Sequence, residues 1–264
     1  MQHRKEVKQS KCLGLPVVIG RSKRQVFDYV REKVISRITN WKEKLLSQAG
    51  KEVLLRSVVL ALPTYVMSSC KLPTMLCKDI CREAANFWWG QSGDEGKIHW
   101  IEWRRQTEVK TRGGLGFRDL EESNEALLAM QLRRILTRPN LLLSKILGGK
   151  YFKGKTIWET NLKNGDSWCW RSILSAKELL QKRIRNRVGD GKTIDIWKDK
   201  WLADSTDGKM SSGHTHNTEF QCVSELIRNG EWDEDTLGRI FDEEDRKSIK
   251  KIPISLFESK DGLY

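Results

Sequence analysis

No stretch of the 264-residue chain is apolar for long enough to cross a bilayer. The most apolar run, residues 53–67, contains Arg56, Ser57 and Pro63; it is too short and too broken to span. No secretory pattern precedes it. The opening MQHRKEVKQSK is basic but carries Glu6 and lacks the pattern of a transit peptide. Disulfide scaffolding is also missing: Cys12, Cys70, Cys77, Cys81, Cys169 and Cys222 are scattered through a chain that is not small. Reduced thiols in an intracellular compartment are therefore expected, with nucleus and mitochondrion both open. There is no internal repeat and no long low-complexity tract. Two neighbouring aspartates occur nowhere, so a paired-carboxylate turn for a two-metal site is not written in this chain.

What is abundant is positive charge. Lys and Arg number 48 against 35 Asp and Glu, a net charge of +13. The excess is uneven. Residues 1–203 hold 40 basic and 21 acidic residues, net +19, whereas residues 204–264 hold 8 and 14, net −6. Such a field favours polyanions: nucleic acid first, an anionic membrane surface second.

Residues 26–67 organise the rest. Val26, Val30, Val34, Ile38, Trp41 and Leu45 recur every three or four residues and share one helical face. At about 100° per residue, Arg24, Arg31 and Lys42 fall beside one edge of that stripe, Lys33 and Lys44 beside the other. Gly50 is read as punctuation. A second helix follows, carrying Lys51 and Arg56 but apolar almost all round (Val53, Leu54, Leu55, Val58, Val59, Leu60, Leu62) and so expected to be buried. Trp41 is expected between the two helices. The cations read either as stems snorkelling around a core or as a phosphate-contacting rim. On the second reading the contacts are Arg24, Arg31, Lys33, Lys42, Lys44, Lys51 and Arg56.

The chain divides by texture into 1–72, a helix pair; 73–150, a helical connection; 151–203, a Trp-rich module; and 204–264, an acidic linker and tail. The short run at 13–20 suits a strand. Helices are expected from Pro73 to Trp89, from a cap at Ser123 or Asn124 to Pro139, over 141–147 and over 172–182. Gly189-Asp190-Gly191 between Arg185–Val188 and Lys192–Trp197 reads as the tip of a β-hairpin. The tail has helical patterns near 223–228 and 236–241. The fold expected is mainly α: a helical bundle followed by a small Trp-rich module.

Three local patterns invite chemistry. Gly113, Gly114 and Gly116 mimic a phosphate loop, yet GGLG matches no dinucleotide fingerprint and a tight turn explains it. Gly191-Lys192-Thr193 mimics the end of a P-loop, but the required earlier glycine is Asn186. Cys77 and Cys81 with His99 supply three zinc-type ligands without an evident fourth, as do His214 and His216 with Cys222. No cofactor or metal is expected. The eleven tryptophans mostly neighbour basic residues, as in Trp41-Lys42, Trp103-Arg104 and Trp170-Arg171. That mixture suits single-stranded nucleic acid, while packing of thin cores explains it equally.

LGLPVVIGRSK, WKEKLLSQAGKEVLLRSVVLALPTY, FWWG, KIHWIEW, GGLGFRDL and VGDGKTIDIWKDKWL resemble, in this order, one region of plant LINE-type (non-LTR) retrotransposon polyproteins. That region follows the reverse transcriptase palm and precedes a Cys/His-rich segment and RNase H. The resemblance spans about residues 11–257 and implies that residues 13–70 correspond to the thumb and the segment directly after it. Stand-alone proteins of a mitochondrial-genome type look similar too. The resemblance implies a parent with RNA-directed DNA polymerase and RNase H activity. The palm and RNase H carboxylates of such a parent have no positions here, so no catalysis is expected of this chain. What is expected is sequence-independent contact with RNA or DNA, with no membrane and no small-molecule substrate. The rival expectation is a decayed relic, or a domain repurposed for protein interaction. Oligomeric state is not legible.

Overall fold

Apolar spacing makes a helix of residues Lys23–Lys42 (α1), the first element of a core in a computed structural model that describes residues 11–12, 14–16, 20, 22–42, 46–90, 98–152, 156–202, 208–210, 220–254 and 259–264. Val26, Val30, Val34 and Ile38 are buried as the stripe requires, joined by Phe27. Leu45 lies outside the described residues. Ahead of α1, Lys11–Cys12 (β1) and Leu15–Pro16 (β2) pair antiparallel, turning through Gly14.

The second helix begins at Gln48–Leu54 (α2), where the Ser47 side chain accepts the Gly50 amide. Gly50 is thus inside the first turn, and the break expected there lies before Ser47. An oxygen acceptor at the N-cap satisfies an orphan amide that glycine cannot. The helix widens into a π turn over Leu55–Val59. Its burial is one-sided, not all round: Leu55, Val59 and Leu60 are inside while Val53 is 61% exposed. Thr64–Met67 (α3) follows Pro63.

Thr74–Trp89 (α4) starts after Pro73 and stops at Gly90, whose left-handed backbone (φ 77°) closes the helix. Its Leu76, Ile80, Ala84 and Phe87 share the core of Phe27, Val34 and Ile38. The principal neighbour of α1 is therefore α4. Trp41 confirms this: its ring meets Phe87 of α4 at 6.0 Å between centroids, so it is not confined between the first two helices.

Trp103–Thr107 (α5) and a 3-10 turn at Lys110–Arg112 lead to the long Leu120–Thr137 (α6). The cap of α6 is Asp119, which accepts the Glu121 and Glu122 amides at 2.8 and 3.0 Å. Asn124, expected as a cap, is instead buried within the helix. It accepts the Leu72 amide at 2.8 Å and donates to the Met67 and Cys70 carbonyls, stitching α6 to the turn between α3 and α4. Leu142–Leu147 (α7), Trp168–Ser175 (α8) and Lys177–Arg183 (α9) continue the chain.

Two compact units result. One comprises residues 1–136 and 141–177, the other 137–140 and 178–264. The second unit has its own core of Val188, Ile194, Ile196, Trp201, Leu202, Val223, Leu226, Leu237, Phe241 and Ile249.

Here the expected hairpin at Gly189–Gly191 does not form. Asn186–Arg187 (β3) pairs antiparallel with Gly262–Leu263 (β6), near the chain end, and Asp195 bridges to Cys222. A hairpin does form elsewhere. Ile227–Arg228 (β4) and Glu231–Trp232 (β5) pair around Asn229-Gly230, both with positive φ. Asn-Gly favours the type I′ geometry that matches strand twist. Of the helix expected near 223–228, Val223–Leu226 form a 3-10 turn and only Ile227–Arg228 are taken into this hairpin. Glu234–Ile240 (α10) falls where the second tail helix was expected, and Glu243–Lys250 (α11) is additional. Within the expected linker 204–218, the described residues 208–210 are not loose: Gly208 accepts the Trp201 and Leu202 amides and Met210 is buried. The fold is mainly α with small two-stranded sheets, as expected. No helix among the described residues is long and apolar enough to cross a membrane.

Candidate nucleic-acid interface

The charge asymmetry follows the two units. The first carries 32 Lys and Arg against 17 Asp and Glu, net +15; the second carries 16 against 18, net −2. Whatever polyanion the chain attracts meets that field first at the helical unit.

Within that unit the sequence-selected cations separate by what they touch. Arg24 donates to Asp79 at 2.8 Å, and Arg82 donates to the other oxygen of the same carboxylate at 2.7 Å. Asp79 is only 4% exposed, and a buried carboxylate needs such partners. Arg56 reaches further. It donates to Glu52 at 2.9 Å, to the Gly116 carbonyl at 2.9 Å and to the Leu115 carbonyl, while its guanidinium sits over the Phe117 ring. Lys51 donates to the Trp88 carbonyl at 3.4 Å. These three side chains hold α1, α2 and the glycine loop in place.

Arg31 and Lys33 are less committed. Arg31 lies 3.9 Å from Asp28, and Lys33 sits 5.7 Å from the Tyr29 ring centre. Arg37, one helical turn beyond Lys33, is exposed on the same helix; i,i+4 spacing is the signal by which it could have been chosen. Lys44 and the side chain of Lys42 lie outside the described residues.

The tryptophans resolve similarly. All eleven are described, and ten are buried or partly buried. Trp170 and Trp201 are fully inside, and Trp103 stacks on Phe117 at 5.2 Å. Trp100 alone is exposed, at 77%. It is followed by the exposed Arg104 and Arg105, and Arg112 lies nearby in sequence. Arg104 and Arg112 share a cleft with Glu108, Asp119 and Glu122, which tempers their local field. An exposed indole is a face on which an unpaired base can stack, and here exposed arginines follow it in sequence.

The glycine loop is built to close on itself. The amides of Gly113, Gly114, Leu115, Gly116 and Phe117 all donate to carbonyls of residues 106–110. No amide of that run is left for a phosphate. A side chain at Gly114 would lie 2.1 Å from the Glu108 carbonyl oxygen, so the turn depends on the missing Cβ. The second loop, Gly189–Thr193, does hold an anion, but one of its own. Asp261 accepts the amides of Gly189, Gly191 and Thr193 and the Thr193 hydroxyl at 2.7–2.9 Å. Burial pushes its carboxyl up, yet those donors outweigh burial and hold it below the usual carboxylate range.

Cys77 and Cys81 lie one turn apart on α4, Cys77 fully buried and Cys81 partly so. Burial pushes their thiols up to about 12 and about 11. Among the described residues no three His, Cys, Asp or Glu side chains gather as a metal site requires; His214 and His216 lie outside them. The second unit has a cavity of about 430 Å³ lined by Val188, Trp201, Ile252, Pro253 and Tyr264 among others. Its wall is mostly apolar and brings together no acid–base pair.

No family profile matches the chain, and no solved structure does. Two relatives do. A protein of Arabidopsis thaliana named "Putative ribonuclease H protein At1g65750" is 31% identical over 192 residues, which cover 72% of this chain but 31% of that protein. The chain thus spans under a third of that relative's length. The "Uncharacterized mitochondrial protein AtMg00310", also of Arabidopsis thaliana, is 39% identical over 148 residues, 56% of this chain and 96% of the relative. Aligned along nearly the whole of that second relative, the chain belongs to its family.

Proposed function

We propose that this protein derives from a plant LINE-type retrotransposon polyprotein, from the region that follows the polymerase palm, and that it holds RNA or DNA through phosphate contacts without catalysing a reaction itself. The observation that carries this reading is the concentration of charge, net +15, in the helical unit. Support comes from the two relatives: one bears a ribonuclease H name over a much longer chain, the other is named a mitochondrial protein and is matched over 96% of its length by 56% of this chain. The edge of α1 with Lys33 and Arg37, the partly exposed Arg31 on its other edge, and the Trp100–Arg105 segment offer cations to a ligand. Contacts of this kind position a backbone and do not read bases.

The test is the salt dependence of binding to single-stranded RNA and to duplex DNA of mixed sequence. Neutralising each phosphate contributes about 0.7 to 0.9 to the slope of log affinity against log salt. Arg31→Gln, Lys42→Gln and Lys44→Gln together are expected to lower that slope by roughly 2 to 3. A folded protein that fails to bind either polymer at low salt would overturn the reading. That result would favour a relic or a repurposed protein-interaction domain.

A further inference from the structure

Two of the six cysteines meet. Cys70 lies in the turn after α3 and Cys169 in the first turn of α8, 99 residues later, yet their sulfurs are 3.0 Å apart. Both belong to the helical unit. Cys70 is fully buried, and its carbonyl is fixed by the Asn124 side chain at 3.1 Å. Cys169 is partly exposed and sits in the first turn of a helix whose N-cap, Ser167, accepts the Trp170 amide.

This setting divides the pair into unequal halves. The hydrogen bond shared with Cys70, with the backbone amide adding to it, pulls the Cys169 thiol down to about 7 against the opposing effect of burial. The same hydrogen bond, and then burial, raises the Cys70 thiol. A thiolate at a helix N-terminus is the reactive form of cysteine. The reactive member is thus the more accessible one, and the reserve member lies against it.

We propose that Cys70 and Cys169 are a thiol-modification site at which a peroxide forms an intramolecular disulfide. The Cys169 thiolate attacks one oxygen of hydrogen peroxide, the O–O bond breaks, and hydroxide leaves to become water on taking a proton. Cys169 is then a sulfenic acid. The Cys70 sulfur attacks the Cys169 sulfur, the S–O bond breaks, and the Cys70 proton leaves with the hydroxyl as a second water. Two thiols and one peroxide give one disulfide and two waters. The sulfurs must close by about 1 Å to reach bonding distance. The bond would tie the α3–α4 turn to α8 across a long loop, which restricts the unfolded chain more than the folded one. Thiol reductants reverse it.

Peptide mapping of the full chain tests this. The protein is reduced, freed of reductant, exposed to a small excess of hydrogen peroxide, alkylated and digested with trypsin without reduction. Each partner falls in its own single-cysteine peptide, residues 57–71 and 164–171. The expected product is these two peptides joined, two hydrogen atoms lighter than their sum and separated by dithiothreitol. In Cys70→Ser, Cys169 is expected to persist as a sulfenic acid trapped by dimedone. Recovery of both wild-type peptides fully alkylated, after exposure that has oxidised methionine in the same sample, would overturn the proposal. So would a cross-link from Cys169 to any other cysteine. The wild-type map decides even if the serine variant does not fold.

Discussion

Arg24 and Lys33 look alike along the helical stripe and differ entirely in what they do. Arg24 is spent on a buried carboxylate, whereas Lys33 lies over a tyrosine ring at the surface. If the chain binds nucleic acid as proposed, neutralising each would lower that binding, Arg24 through folding and Lys33 through charge. Trp100 gives a cleaner residue-scale test, because its ring is exposed and adds little to a core. Trp100→Ala is expected to weaken single-stranded RNA or DNA binding by about 1–3 kcal/mol if a base stacks on the indole. Stability should change by less than about 0.5 kcal/mol, as for other surface sites. Titration of a fluorescent oligonucleotide, alongside a urea melt of the same variant, separates the two effects. Unchanged affinity would remove Trp100 from the interface.

At the scale of elements, β6 is a short segment whose backbone pairing, extended by the Arg185–Tyr264 bonds, is reinforced by one side chain. Its pairing with β3 is two residues long, too short to persist by itself. Asp261 adds four hydrogen bonds to the 189–193 loop. Its folded-state proton affinity is lowered, so its stabilisation is fully present above the unfolded carboxylate value of about 3.9 and is lost as pH falls through the lower folded value. Amide exchange protection at Gly189, Gly191 and Thr193 is therefore expected to fall below about pH 4. Asp261→Asn should be less protected at neutral pH and should lose the acid dependence. Equal acid dependence in the variant would place the titrating group elsewhere.

For the whole molecule, the division of charge between the units is the property with consequences. Removing three positive charges changes the net charge equally wherever it is done. Lys247→Gln, Lys250→Gln and Lys251→Gln lie in the unit of net −2, and Lys247 and Lys250 already pair with Glu243 and Glu234. This triple variant is expected to leave the salt slope within about 1 unit of wild type, against the roughly 2 to 3 expected for the Arg31, Lys42 and Lys44 triple. Equal changes from the two would mean that only total charge matters and that no particular surface binds.

Local physics was enough to determine much of this protein from its sequence. The mainly α class, the α1 stripe, the stop of α4 at Gly90 and the turn at GGLG follow from spacing, glycine freedom and capping within a few residues. Asn229-Gly230 is a two-residue hairpin signal that the helical reading of 223–228 passes over. The contacts that span long separations were not legible. The strand partner of β3 lies near the far end of the chain, and the anion in the Gly189–Thr193 loop is the chain's own Asp261. Asn124 could serve as a cap or as a buried brace, and only the arrival of the 67–72 turn beside α6 made it a brace. The same holds for the seven candidate cations. Their placement beside an apolar stripe is a matter of helical geometry, but which of them stay open to a phosphate depends on where Asp79, Gly116 and Trp88 come to rest. A short pattern cannot encode the partner that folding brings from elsewhere.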